Sequence, residues 1–66
     1  MTTLKVEGMT CGHCEAAVRK ALETVPGVTR VVEVDSSRNL AVVEGDADAS
    51  ALVAAVVEEG YRASVA

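Results

Sequence analysis

The hydrophobic period of this chain changes along its length, and those changes limit the folds open to it. Leu4 and Val6 alternate with Thr3, Lys5 and Glu7, the pattern of a half-buried strand ending at Gly8. From Cys14 onward the period is helical. Ala17, Val18, Ala21, Leu22 and Val25 recur on one face, Glu15, Arg19, Lys20 and Glu23 fall on the other, and Pro26-Gly27 ends the helix. Val28 to Val34 reads as a second strand, Ser36-Ser37-Arg38-Asn39 as a turn, and Leu40 to Glu44 as a third strand. A second helix follows Gly45-Asp46, with Asp48 as N-cap, Leu52, Val53, Val56 and Val57 on its buried side, and Gly60 as its C-terminal glycine. Tyr61 to Val65 makes a short last strand. The order βαββαβ is that of an α+β, ferredoxin-like split βαβ unit, a four-stranded antiparallel sheet with two helices on one face. The doublets Val31-Val32 and Val42-Val43 break strict alternation, which leaves room for a bulge, and pattern alone leaves open which face of each strand is buried.

Sixty-six residues are read as one domain, 1–66, and a chain that short buries only roughly 60% of its unfolded surface. Its apolar residues are mostly valine and alanine, and Tyr61 is the sole aromatic, so the core is built of small pieces. A formal charge of -4 opposes attraction to nucleic acid or anionic lipid, and no nucleic-acid partner is expected. Apolar runs such as Ala51 to Val57 fall far short of the roughly 20 residues a membrane span requires. With Lys5 and Glu7 among its first residues and no hydrophobic signal segment, the chain is expected to be cytoplasmic, without direct membrane insertion.

The chemistry is concentrated in GMTCGHC, residues 8–14. A bridge between Cys11 and Cys14 would close too small a loop to restrain the unfolded chain, and the cytosol keeps thiols reduced. Redox chemistry or metal capture remains. Cys11 is expected in the loop leaving the first strand and Cys14 at the first turn of the first helix, where unpaired N–H groups and the helix dipole favour a thiolate. The letters CGHC are similar to the active site of protein disulfide isomerases. Those proteins, however, are longer, carry an aromatic residue before the first cysteine and have a cis-proline loop, whereas Thr10 precedes Cys11 here and Pro26 ends a helix. Ligand counting favours metal. Zinc wants four ligands in a closed site, and two cysteines with one histidine do not supply them. Cu(I) accepts two thiolates in a near-linear arrangement. An exposed site of this kind can also accept a third sulfur from a partner and release its ion, given a mobile loop, for which Gly8 and Gly12 offer backbone freedom.

The run Gly8-Met9-Thr10-Cys11-Gly12-His13-Cys14 resembles the GMTCxxC signature of heavy-metal-associated domains, the family of small copper chaperones and of the N-terminal domains of copper-transporting P-type ATPases. The resemblance extends over nearly the whole chain, including VPGV at 25–28 and EEGY at 58–61. It implies that Cys11 and Cys14 bind the ion, that Met9 packs beneath the loop instead of coordinating, and that Tyr61 approaches the site as in bacterial copper chaperones. It further implies Cu(I) as cargo and the metal-binding domain of a copper-transporting P-type ATPase as acceptor. The same frame also serves domains within such ATPases and carriers of mercury, cadmium and zinc. The hairpin is about one residue longer than the family spacing.

Other residues carry two readings each. His13 can supply a third ligand, but a residue between two such cysteines points to solvent. Were two chains to share one ion, His13 would be the natural supplementary ligand of that metal-bridged homodimer. Tyr61 can anchor a valine and alanine core while its hydroxyl moderates charge on the sulfurs. Thr10 can support the helix start. Arg19 and Lys20 are either solvated or meet acidic residues of a partner. Glu7 and Glu15 flank the site without a nucleophile and base constellation, so no enzymatic activity is expected.

Overall fold

The computed structural model describes residues 1–10 and 12–66. Six elements follow in order: β1 (Thr2–Glu7), α1 (Gly12–Glu23), β2 (Val28–Asp35), β3 (Leu40–Gly45), α2 (Ala49–Glu58) and β4 (Arg62–Val65). The strands form one sheet in the order β2-β3-β1-β4, antiparallel throughout. Both helices cover the same face, the βαββαβ arrangement expected from the periodicity. Leu4 and Val6 of β1 and Ala41 and Val43 of β3 point into that face, where Val18 and Leu22 of α1 and Leu52 and Val56 of α2 meet them in one cluster.

The valine doublets find their explanation in β2. Val31 pairs with Val43 and Glu33 with Val42, so Val32 is an extra residue opposite the β3 ladder, and Thr29 is a second one between Val28 and Arg30. Each bulge resets the alternation. Val31 can therefore face the core, Val32 stands 38% exposed, and Val34 still packs inward while Glu33 pairs on the outer face.

Among the described residues helix α1 runs from Gly12, which puts Cys14 in its first turn as expected. Two boundaries differ from the sequence reading. Helix α1 ends at Glu23, where Thr24 Oγ1 donates to the Ala21 carbonyl at 2.7 Å, ahead of Pro26. Strand β4 begins at Arg62, leaving Tyr61 in the loop. Asp48 caps α2 as expected, its carboxylate accepting the Ser50 N–H at 3.1 Å. Gly60 follows the helix with φ 96°, a conformation glycine adopts without the steric cost of a side chain. Val57, expected on the buried side of α2, is 51% exposed. Two helices and four short strands enclose too narrow a core to cover all four of these apolar positions on α2.

Candidate metal centre

Strand β1 delivers the chain to Gly8, whose φ of 102° turns the backbone out of the sheet. Met9 then drops back into the core cluster at 6% exposure. A thioether so enclosed contributes packing, and its burial anchors the start of the loop. Thr10 returns to the surface. Cys11, one of the two expected ligands, lies outside the described residues. Gly12 and His13 open α1 and both are exposed. Gly12 takes part in the helix and does not adopt a left-handed conformation, so the backbone freedom expected of both flanking glycines is used at Gly8.

Cys14 is the third residue of α1, half-buried and packed against the core cluster. Its Sγ lies 3.8 Å from Thr10 Oγ1, which links the two sides of the loop. The residue lies in the first turn of α1, where the backbone N–H groups have no intrahelical acceptor. Tyr61 packs against the same core cluster from the α2–β4 loop. A Cβ on Gly8 would stand 3.5 Å from Tyr61 Cδ1, so the ring lies against the loop's first residue. A shallow depression lined by Glu7, Gly8, Gly60 and Arg62 adjoins this contact.

Arg19 and Lys20 do not share one surface. Arg19 Nη1 donates to the Val31 carbonyl at 3.1 Å, across the edge of the sheet. Lys20 instead lines a groove of about 420 Å³ with Ala17, Ala21 and Thr24 of α1's side and Ala55, Glu58 and Glu59 of α2's. That groove lies between the helices, and Cys14 is not among its lining residues. Among the described residues no group of three or more His, Cys, Asp or Glu side chains converges, and no helix is long and apolar enough to cross a membrane.

One contact near the site escaped the sequence. Glu15, read as an outer-face residue, is half-buried, and its Oε2 accepts the Ser36 N–H at 2.6 Å. No local signal joins residues 21 apart.

The comparisons with known proteins agree with this arrangement. The chain is 47% identical over 68 aligned positions to the mercuric reductase of Shigella flexneri, covering 100% of this chain and 12% of that enzyme. It is 46% identical over 66 positions to copper-transporting ATPase 2 of Rhizobium meliloti (strain 1021), covering 89% of this chain and 7% of the ATPase. The chain thus spans about an eighth or less of these relatives. Among solved structures, the apo copper chaperone of Enterococcus hirae superposes with a TM-score of 0.91 at 33% identity, covering 100% of both chains. The heavy-metal-associated domain model matches residues 3–62, from the first strand through the start of the last, and the chain belongs to that heavy-metal-binding family.

Proposed function

We propose that this chain is a cytoplasmic carrier that binds Cu(I) through the thiolates of Cys11 and Cys14 and passes it to the metal-binding domain of a copper-transporting P-type ATPase. The observation that carries this reading is Cys14 in the first turn of α1, at the end of a GMTCxxC run whose first residue, Gly8, lies against Tyr61. Two thiolates satisfy Cu(I) without closing its coordination shell. A thiolate of the acceptor can then form a third Cu–S bond before one of the bonds to this chain breaks. Copper stays monovalent throughout, and repetition of the exchange completes transfer. The only bonds exchanged are those between sulfur and the ion, and the cargo leaves chemically unchanged, so the role is that of a carrier and not an enzyme.

A second reading, Hg(II) as cargo, draws support from the mercuric reductases among the relatives, since Hg(II) also favours two thiolates. Anaerobic titration of the reduced protein with Cu(I), Hg(II) and Zn(II), repeated on Cys11→Ser and Cys14→Ser, separates the two. The expected result is one Cu(I) per chain, retained on dialysis against a moderate chelator and lost in either variant. Retention of Hg(II) with release of Cu(I) would transfer the assignment to mercury. Retention of neither, with turnover in an insulin-reduction assay, would replace a carrier by a thiol oxidoreductase.

A further inference from the structure

Glu15 follows Cys14 directly in the first turn of α1, and its carboxylate reaches the β2–β3 turn to accept the Ser36 N–H at 2.6 Å. One helical turn later Arg19 Nη1 donates to the Val31 carbonyl of β2 at 3.1 Å. Residues four apart share one side of a helix, so positions 15 and 19 fasten that side of α1 to the hairpin at two points. The turn that Glu15 reaches is cross-linked within itself. The Asp35 carboxylate accepts the Ser37 N–H at 2.9 Å, the Ser37 hydroxyl at 2.7 Å and the Arg38 N–H at 3.3 Å. Its last residue, Asn39, offers a carbonyl to the Val6 N–H at 2.9 Å, which ties the turn to β1 as well.

We propose that Glu15 is a positioning residue for the metal site, holding the first turn of α1, and with it Cys14, against the β2–β3 turn; this rests on the carrier reading above. The first turn of a helix has few bonds of its own and frays readily. A hydrogen bond to an ionised acceptor is roughly twice as strong as a neutral one, and this one is part-buried. With it in place, Cys14 meets the ion already ordered. Without it, ion binding must order the turn, which weakens retention and speeds release.

The test compares wild type, Glu15→Ala, Glu15→Gln and Ser36→Pro by anaerobic competition for Cu(I) with bathocuproine disulfonate, together with the melting temperature of each metal-free protein. Glutamine retains an acceptor oxygen. Proline removes the donor N–H and turns the Glu15 carboxylate away without substituting any residue of α1, and the second position of a turn that opens on aspartate tolerates it; this variant keeps the test decisive should Glu15→Ala fail to fold. Expected are a loss of about 10-fold in Cu(I) affinity for Glu15→Ala and Ser36→Pro, the size usual for groups that orient a metal ligand, and recovery to within about threefold of wild type in Glu15→Gln. Lower melting temperatures in both disrupted variants with wild-type affinity would reduce Glu15 to a structural brace and overturn the proposal. Failure of wild type itself to retain Cu(I) would bring down the carrier reading and this inference together, whereas retention by wild type and both disrupted variants alike would remove the inference alone.

Discussion

Alanine placed at three different glycines should give three different outcomes, because the space around each glycine differs. At Gly45 the backbone has φ 134°, and an added Cβ would collide with the Gly27 carbonyl oxygen and lie 2.7 Å from the Thr29 N. An alanine held in a left-handed conformation costs about 1–2 kcal/mol. Forcing backbone atoms apart in a packed region adds about 1–3 kcal/mol. The total of about 2–5 kcal/mol is a large share of the roughly 3–10 kcal/mol available to a domain of this size. At about 4–8 °C per kcal/mol, the melting temperature of Gly45→Ala should fall by at least about 8 °C. Gly60, with φ 96° and nothing within 4 Å, carries the conformational cost alone, so Gly60→Ala should lose about half as much or less. Gly12 lies in α1 with nothing within 4 Å, and Gly12→Ala should gain about 0.5–1 kcal/mol from helix propensity. Differential scanning calorimetry of the three metal-free variants decides the matter. Equal losses at Gly45 and Gly60 would show that contact with the β2 entry is not what makes Gly45 costly.

Met9→Leu should leave Cu(I) affinity unchanged and cost less than about 1.5 kcal/mol, whereas Met9→Ala should cost about 2–5 kcal/mol by opening a cavity under the loop. A Leu variant that folds normally but loses the ion would make Met9 a ligand. The Ser37 hydroxyl, helped by the backbone N–H groups of Arg38 and Ser37 and by the Arg38 charge, holds the Asp35 carboxyl below its ordinary range. Because the folded value is depressed, this contribution to stability is complete above the unfolded value of about 3.9 and is lost as pH falls through the folded one. Ser37→Ala should therefore move the Asp35 titration followed by carboxyl NMR upward, and an unmoved titration would remove the hydroxyl as the cause.

Local sequence determined the elements of this protein and the placement of its GMTCxxC run between a strand and a helix. The switch from period two at Leu4 and Val6 to helical period at Ala17 to Leu22, the Asp48 cap and the Ser36 to Asn39 turn are all readable because each depends on residues within one or two turns of each other. The GMTCxxC run is local as well, which is why it places Cys14 at the start of a helix.

What only the folded chain decided involves residues brought together from far apart. The doublets left room for a bulge, but pairing with β3 chose Thr29 and Val32 as the extra residues and so set which valines face inward. Val57 obeys the helical period yet stays exposed, because the sheet it would need to cover is only four short strands wide. Glu15 and Arg19 looked like solvated charges by period, and became ties to Ser36 and Val31 only when α1 settled beside the hairpin. Period reports which side of an element is apolar; it carries no information about which backbone groups another element will present to the polar side.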